Sequence, residues 1–391
     1  MIFQLIAQRL ADLGNAGLLR RRFVREGPQG PRIVVEGREY LAFCSNDYLG
    51  LANHPRIVEA AVDAALRYGI GQGASHLLSG HSALHERLES SLAEFVRMPR
   101  ALLFSSGYQA NIGAVTALAG AGDTVFSDAL NHASLIDGVR LSRAQVVRYP
   151  HADVGFLSQA LAVSSGKTKL IVTDSVFSMD GDMAPVPALL ELCDRHDALL
   201  LLDDAHGFGV VGPEGRGTAL HFGLRSSRIV YVGTLGKAAG VSGAFVAGAP
   251  EIVESILQRA RTYTYTTAAP AMLAAAVEAS LQLVRREEWR REHLRNLVGV
   301  LRESLREAEV EPTPSDTPIQ PLILGTNSRA LGASTAMRER GILVPAIRPP
   351  TVPEGTARLR ISLSAAHSER DVSRLATALR EVCRAGAEAH A

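Results

Sequence analysis

The chain has 391 residues, 47% of them hydrophobic and 21% charged, a composition typical of a globular protein large enough for two domains. Its 41 basic and 40 acidic residues leave a formal net charge of +1, so charge gives no reason to expect nucleic acid or an anionic membrane as a partner. Three well-separated cysteines argue against a disulfide framework, and no apolar run is long enough to predict a membrane span, so we expect a cytoplasmic protein.

The N-terminal segment, residues 1–45, is predicted to hold an amphipathic helix followed by a β-hairpin. The first ten residues place apolar side chains at helical spacing and lack the long apolar core of a signal peptide. The hairpin is predicted from apolar runs at 32–35 and 40–43, which flank the turn residues Glu36 and Gly37.

Residues 46–280 are predicted to form a large α/β domain. Alternating helical stretches and apolar runs indicate a mostly parallel central sheet with helices on both faces, in which ligands bind at the carboxyl ends of the strands. The runs predicted as strands are 101–104, 124–126, 146–149, 170–173, 199–203, 229–232 and 244–247. Residues 281–391 are predicted to form a smaller α+β domain, which opens with a charged helical region and has strands at 319–323 and 359–363.

Two residues at the ends of predicted strands indicate a chemistry. Asp203 closes one buried strand, and Lys237 lies just past a later one. A lysine amine can form an imine with the aldehyde of pyridoxal phosphate, and an acid can keep the pyridine nitrogen protonated, so that the ring accepts electrons. Gly107 and Tyr108, between a strand and a helix, supply backbone donors suited to the phosphate, and the Thr234 hydroxyl can add another. We therefore predict pyridoxal phosphate as the cofactor.

A metal site is an alternative interpretation of Asp203, Asp204 and His206. No second histidine or cysteine cluster completes a ligand set, so no metal is predicted. Asp204 points away from Asp203 on a strand, and a structural role is expected for it.

Several motifs together resemble the α-oxoamine synthase family, within the fold-type I pyridoxal-phosphate enzymes. The motifs occur in one order along nearly the whole chain: SNDYLGL at 45–51, SGYQAN at 106–111, NHASL at 131–135, VFSMDGD at 176–182, DDAHG at 203–207 and TLGK at 234–237.

The resemblance implies a role for each matched residue. Lys237 would hold the cofactor and then remove the Cα proton, with Asp203, His206 and His132 as the other catalytic residues. His206 and Ser178 would hydrogen-bond the phenolic oxygen of the cofactor, and His132 would stack on its ring and help to position the substrate. The further cofactor contacts would come from Thr266 and Thr267 of a second subunit, which implies a homodimer.

The resemblance also implies substrates. The run IRPPTVP at 347–353 matches the members that condense L-alanine with a pimeloyl thioester, carried by acyl carrier protein or coenzyme A, and release carbon dioxide in biotin synthesis. Arg360 would bind the carboxylate of the amino acid, because a guanidinium pairs with a planar carboxylate. Spacing alone cannot choose between Arg360 and Arg358, which share one face of a strand. Arg20 and Thr351 match further substrate contacts, although Arg20 is also typical of a solvated charge run.

Two alternatives stay open at this point. One is a sister activity, joining glycine to an acetyl or succinyl thioester or serine to a long-chain acyl thioester; the other is a non-catalytic cofactor-binding subunit. Three positions depart from the family pattern: Asp174 stands where glutamate is usual, Ala239 where an aromatic residue is common, and His76 near where relatives with other substrates have an arginine.

Overall fold

The computed structural model of the chain describes residues 1–307, 310 and 313–388. Seven residues of the predicted C-terminal domain, 308, 309, 311, 312 and 389–391, therefore lie outside the described part. The strands, in chain order, are β1 Arg25–Glu26, β2 Arg32–Val35, β3 Arg38–Ala42, β4 Arg100–Phe104, β5 Thr124–Asp128, β6 Gln145–Tyr149, β7 Lys169–Asp174, β8 Leu199–Asp203, β9 Ile229–Thr234, β10 Ala244–Gly248, β11 Ile319–Gly325, β12 Ile342–Leu343, β13 Ala346–Ile347 and β14 Ala357–Ser362.

The helices lie before, between and after these strands. They are α1 Ile2–Asn15, α2 Pro55–Tyr68, α3 Ala83–Phe95, α4 Gly107–Leu118, α5 Ala133–Ser142, α6 Val154–Val163, α7 Val186–His196, α8 Thr218–His221, α9 Pro250–Arg259, α10 Arg261–Thr264, α11 Ala271–Arg286, α12 Trp289–Glu307, α13 Asn327–Glu339 and α14 Glu369–Glu388. No helix in the described part of the chain is both long and apolar enough to cross a membrane.

The chain divides into two compact units. The first contains Met1–Tyr48, Met179–Gly181 and the residues from Glu292 onward; the second contains Leu49–Ser178 and Asp182–Arg291. The first unit holds two small sheets, one in the order β1-β2-β3-β12 and the other in the order β11-β14-β13, with helix α13 packed on β14 and helix α14 packed on α13.

The second unit is built on a seven-stranded sheet in the order β4-β10-β9-β8-β7-β5-β6. Every neighbouring pair is parallel except those made by β10, which runs antiparallel to both β4 and β9. The strands are apolar on both faces, as in β8, where Leu200, Leu201 and Leu202 are all 0% exposed. Burial on both faces is what a sheet covered by helices requires, and the predicted α/β fold class is confirmed.

Helix α4 lies unusually close to its neighbours because its buried face is made of small residues. Ala110, Ala114 and Ala117 are each 0% exposed. On the neighbouring helix α5, a Cβ placed on Gly138 would lie 3.2 Å from the Cβ of Val115, so that position tolerates no larger residue without movement. The close packing holds the first turn of α4 at the end of β4.

The seven predicted strands of the large domain are all present, most of them one or two residues longer than predicted. The second hairpin strand, β3, begins earlier than predicted, at Arg38. Its pairing with β2 continues up to the turn, where Arg38 pairs with Val35. Three strands of two residues, β1, β12 and β13, were not predicted; they are too short to show a period of two.

Candidate active site

Lys237 lies on the loop that joins β9 to β10. Its side chain is half-buried, and its Nζ lies 2.9 Å from Nε2 of His206, which follows β8. The loop is held by a hydrogen bond of 2.8 Å from the Gly240 amide to the Lys237 carbonyl. Gly240 has a φ of +68°, and a Cβ there would lie 2.6 Å from the backbone of Leu51 and Ala52, so only glycine fits. The path of the backbone at the lysine is therefore set by close packing against Leu51 and Ala52.

Asp203, the last residue of β8, presents a buried carboxylate at the same edge of the sheet. The residue is 4% exposed. Its Oδ2 accepts a hydrogen bond of 2.6 Å from the Asn111 side-chain amide, and its Oδ1 accepts one of 3.0 Å from the Ala205 backbone. Both oxygens of the carboxylate therefore accept hydrogen bonds from N–H donors.

Asp204, the next residue, points to the opposite side and has a structural environment. It is 0% exposed, and its oxygens accept hydrogen bonds from the Thr218 amide at 2.8 Å and the Tyr231 hydroxyl at 2.8 Å. This matches the structural role expected for it.

A chain of hydrogen bonds joins Asp203 to His132. Asn111 Nδ2, which donates to Asp203, also lies 2.9 Å from Ser134 Oγ, and Ser134 Oγ lies 2.7 Å from His132 Nδ1. The Ser134 backbone amide also donates to His132 Nδ1, at 3.3 Å. Because Nδ1 accepts, the neutral ring carries its proton on Nε2. Much of the His132 surface is exposed, but desolvation of the rest lowers the pKa of its imidazole.

Asp174, at the end of β7, holds the backbone of His132. Its Oδ2 accepts a hydrogen bond of 2.6 Å from the His132 amide, and its own amide donates to Asn131 Oδ1 at 3.0 Å. Register pairs Asp174 with Asp203 on the adjacent strand. Burial, together with the negative charge of Asp203, raises the pKa of Asp174 well above its ordinary value. The shorter acid that departs from the family pattern therefore still reaches the histidine loop.

The N-terminus of helix α4, which is suited to an anion, lies beside Thr234. Ser106 caps α4, its Oγ accepting from the Gln109 amide at 3.3 Å, and a Cβ placed on Gly107 would lie 3.8 Å from Thr234 Oγ1. First-turn amides have no acceptor within their own helix and are suited to a phosphate. The Tyr108 ring lies edge-on to His132, with centroids 6.4 Å apart. The predicted phosphate donors are therefore gathered near the predicted ring contacts.

The second unit thus contains the groups that pyridoxal phosphate needs: a primary amine, a buried carboxylate and a helix N-terminus for an anion. These chemical features fit the cofactor. Ser178 follows Phe177 in the loop after β7 and is half-buried. Thr266 is half-buried and Thr267 exposed, in the segment after α10. The predicted contacts of these three residues with cofactor stay predictions.

Three predicted substrate residues belong to the first unit. Arg20 Nη2 lies 3.4 Å from Thr351 Oγ1, so the structure brings this pair together. Both line a cavity of about 530 Å³. Among the residues that the structure describes, its walls are largely apolar and carry no acidic residue but four arginines, Arg20, Arg21, Arg338 and Arg348.

Arg358 and Arg360, which spacing could not separate, differ in their partners. Arg358 Nη1 forms an ion pair with Asp180 and a hydrogen bond of 3.2 Å to the Met179 carbonyl. Arg360 Nη1 donates to Ser362 Oγ at 2.7 Å and lies 3.2 Å from Asn46 Oδ1. The charge of Arg358 is thus paired with that of Asp180, and the role of Arg360 at a substrate carboxylate stays a prediction.

Three histidines outside the predicted site lie close together. His76, His81 and His85 place ring nitrogens within 4.8 Å of one another. His85 accepts from the Ser82 amide through Nδ1 at 3.0 Å and faces the Ala269 carbonyl through Nε2 at 2.8 Å, so it has no lone pair left for a metal. Burial, followed by the two neighbouring histidines, lowers the pKa of His76 to about 4. His76 and His81 are joined by a contact of 2.8 Å between their Nδ1 atoms, so the cluster is a hydrogen-bonded group.

Sequence reasoning assigned no role to Asn111 and Ser134, although both lie in motifs that carry the family resemblance, SGYQAN and NHASL. A signal for Asn111 exists: it is a polar residue on the face of α4 that otherwise carries buried alanines. A buried amide on such a face needs a partner, and its partner is Asp203.

Known proteins resemble the chain in sequence. A family model described as aminotransferase class I and II matches residues 38–379. A relative from Nitrosospira multiformis, named 8-amino-7-oxononanoate synthase, is 59% identical over 375 residues, which cover 96% of this chain and 95% of the relative. A relative from Polaromonas sp., named 8-amino-7-oxononanoate synthase 1, is 58% identical over 386 residues, which cover 97% of this chain and 95% of the relative.

Solved structures resemble it in fold. A serine palmitoyltransferase from S. paucimobilis with bound PLP superposes with a TM-score of 0.91 at 30% identity, covering 98% of this chain and 97% of that chain. An 8-amino-7-oxononanoate synthase from Francisella tularensis superposes with a TM-score of 0.77 at 30% identity, covering 89% of this chain and 98% of that chain.

Fold and site together define a fold-type I pyridoxal-phosphate-dependent enzyme, and the predicted cofactor and fold class are confirmed. The chain belongs to the class I and II aminotransferase family. Within that family it groups with the relatives named 8-amino-7-oxononanoate synthase.

Proposed function

We propose that the chain catalyses the decarboxylative condensation of L-alanine with a pimeloyl thioester, giving 8-amino-7-oxononanoate, carbon dioxide and the free thiol of the carrier, in biotin synthesis. The observation that carries the chemistry is the contact of 2.9 Å between Lys237 and His206 at the strand edge where Asp203 ends β8. The identity of 59% to a relative named for this product supports the choice within the family.

Each residue of the second unit then has a task. Bound pyridoxal phosphate supplies an aldehyde for a primary amine and a ring that withdraws electrons from the substrate Cα. Lys237 would hold the aldehyde and, once displaced, would accept the Cα proton of alanine. Asp203 would pair with the ring nitrogen, and His206 and Ser178 would hydrogen-bond the phenolic oxygen. His132 would contact the ring.

Gly107, Tyr108 and Thr234 would bind the phosphate, and Thr266 and Thr267 of a second copy would contribute to it. This last assignment makes the active enzyme a homodimer. A cytoplasmic location is part of the same proposal, supported by three cysteines that form no disulfide in the structure.

The cavity of the first unit favours the pimeloyl group over a long alkyl chain. A pimeloyl thioester ends in a free carboxylate, whereas a palmitoyl group is apolar throughout. In the described part of the chain, four arginines and no acid line the cavity; Arg21 already pairs with Glu36, and the guanidinium groups of the other three can pair with a carboxylate. We therefore assign Arg20 and Thr351 to the acyl substrate, and Arg360 to the alanine carboxylate.

The test is carbon dioxide release from carboxyl-labelled L-alanine with pimeloyl-CoA and with pimeloyl acyl carrier protein, which also decides the carrier. Glycine with acetyl-CoA or succinyl-CoA, and serine with palmitoyl-CoA, are run in parallel. Release of labelled carbon dioxide with a pimeloyl thioester supports the proposal. Turnover of one of the parallel pairs alone would assign a sister activity instead, and a chain that binds the cofactor but turns over no pair would be a non-catalytic subunit.

A further inference from the structure

His151 joins the carboxyl ends of three neighbouring strands, and no part of the proposed function uses it. It lies two residues after β6. Its Nδ1 lies 3.0 Å from Oδ1 of Asp128, the last residue of β5, and its Nε2 lies 2.8 Å from Oδ2 of Asp182, in the loop after β7. Because β6, β5 and β7 are adjacent in the sheet, a single imidazole ties all three ends together.

The ring is a fixed cation. Each nitrogen faces a carboxylate, and a carboxylate only accepts, so both nitrogens carry protons. The hydrogen bonds to Asp128 and Asp182 raise the pKa of His151 to about 10, against the opposing effect of partial burial. The side chain is 28% exposed, so solvent screens the two ion pairs only in part. His151 is therefore charged throughout the neutral range.

The first carboxylate that His151 holds shapes the turn before His132. Asp128 accepts a hydrogen bond from the Leu130 amide at 2.8 Å and one from the Ala152 amide at 2.9 Å. These bonds define the path of the backbone from the end of β5 into the residues that precede α5. His151 thus acts on His132 through Asp128.

The second carboxylate belongs to the turn that carries Ser178. The Phe177 amide donates to the Asp182 carbonyl at 2.9 Å. The His151 ring also lies edge-on to the Phe177 ring, with centroids 4.4 Å apart and planes at 85°. Phe177 is 1% exposed and immediately precedes Ser178, so a displaced Phe177 moves Ser178 with it.

We propose that His151 is a positioning residue for cofactor binding, holding the His132 turn and the Ser178 turn in place through Asp128, Asp182 and Phe177. The inference rests on the proposed function, because it takes His132 and Ser178 as cofactor contacts. His151 itself would touch neither cofactor nor substrate, but it would control the cofactor contacts of His132 and Ser178. A purely structural salt bridge would affect stability alone.

The test uses full-length His151→Phe, which keeps a ring against Phe177 and removes both hydrogen bonds, and His151→Gln, which keeps one donor. The matched control is Arg228→Gln. Arg228 also lies between two carboxylates, with Nε 3.1 Å from Asp194 and Nη1 2.8 Å from Asp197. It directly precedes β9 and so lies at the amino end of that strand, whereas His151 lies at the carboxyl ends of its strands. Cofactor dissociation constants come from absorbance titrations, and thermal unfolding is followed without cofactor.

We expect His151→Phe to weaken cofactor binding about tenfold or more, or about 1.4 kcal/mol, with His151→Gln between it and the wild type. The turnover number should fall with it, while the KM for alanine changes by less than about threefold. Arg228→Gln should lower the unfolding temperature only. Cofactor affinity within about twofold of wild type in both His151 variants would overturn the inference. A wild-type chain that binds no cofactor would instead overturn the proposed function, so the two failures are distinct.

Discussion

The side-chain nitrogens of Lys237 and His206 lie 2.9 Å apart, a hydrogen bond between two bases. Since such a bond needs one donor and one acceptor, the two groups share a proton and the amine is oriented by the imidazole. His206 is held by its place just after the buried strand β8, with the next residue, Gly207, donating its amide to the Asp204 carbonyl at 3.1 Å. The position of His206 after β8 thus sets the orientation of the Lys237 amine.

Lys237→Ala should abolish turnover, with a loss of at least about a thousandfold, because no other amine can hold the aldehyde or take the Cα proton. Borohydride treatment followed by mass spectrometry should find the cofactor attached to the wild type and absent from the variant. Lys169→Ala is the control; its Nζ donates to the His196 carbonyl at 3.3 Å, at the start of β7. Near-normal turnover of Lys237→Ala would refute the assignment.

Asn111→Ala should lower the free energy of unfolding by about 1–3 kcal/mol, because it leaves the buried Asp203 oxygen without a donor. Turnover should fall as well, since the link from Asp203 to His132 is cut. Urea denaturation and steady-state kinetics measure the two effects. Asn296→Ala is the matched control, because the amide of Asn296 also donates to a carboxylate at 2.6 Å, that of Glu369, but on the surface. The control should change stability by less than about 0.5 kcal/mol, and equal effects in both variants would contradict the role given to Asn111.

Arg360→Lys should raise the KM for L-alanine about tenfold or more, because lysine cannot make the paired hydrogen bonds of a guanidinium with a carboxylate. Arg358→Lys should leave that KM within about threefold and lower the unfolding temperature, since it weakens the ion pair with Asp180. Kinetics on both variants separate the two arginines. The opposite pattern would assign the substrate carboxylate to Arg358.

Arg20→Ala should raise the KM for the pimeloyl thioester about tenfold and leave the KM for alanine unchanged. The effect should disappear when the distal carboxylate of the substrate is a methyl ester, which removes the charge that Arg20 would bind. Arg22→Ala, a neighbour that does not line the cavity, is the control. A loss of equal size with acid and ester would show that Arg20 acts on some other part of the substrate.

His151 should stabilise the fold most below neutral pH. Its folded pKa, about 10, lies above the ordinary value of 6.5, and the groups that face it are Asp128, Asp182 and Phe177. A raised pKa gives stability that is complete below pH 6.5 and is lost as pH rises through about 10. The difference in unfolding free energy between wild type and His151→Phe should therefore shrink from pH 6.5 to pH 10, by at most about 1.4 kcal/mol per unit. Urea denaturation across this range measures it, and a constant difference would contradict the shift.

The large domain could be predicted from sequence because its strands are continuous apolar runs. The clearest case is β8, where four leucines followed by Asp203 define both bounds. The site residues at strand ends followed from the same pattern, since the carboxyl ends of parallel strands share one edge. The homodimer, and the contacts of Thr266 and Thr267 that depend on it, stay predictions.

What could not be predicted depends on partners distant in sequence. Asn111 and Asp203 are 92 positions apart, and His151 and Asp182 are 31 apart. Neither pair has a local signal, because their side chains meet only when the strands are ordered in the sheet. Arg358 and Arg360 share a strand face, so their different partners, such as Asp180 for Arg358 and Ser362 for Arg360, could not be read from the sequence.

The antiparallel direction of β10 limits how the amine of Lys237 can move. Because β9 and β10 are antiparallel, the segment between them is a hairpin loop anchored at both feet by ladder hydrogen bonds, not a crossover leading to a helix. The two strands cannot shift relative to each other without breaking the hydrogen bonds between them. In the proposed reaction, the amine of Lys237 would therefore move by rotation about the four methylene carbons of its side chain, while the backbone of the loop keeps its place.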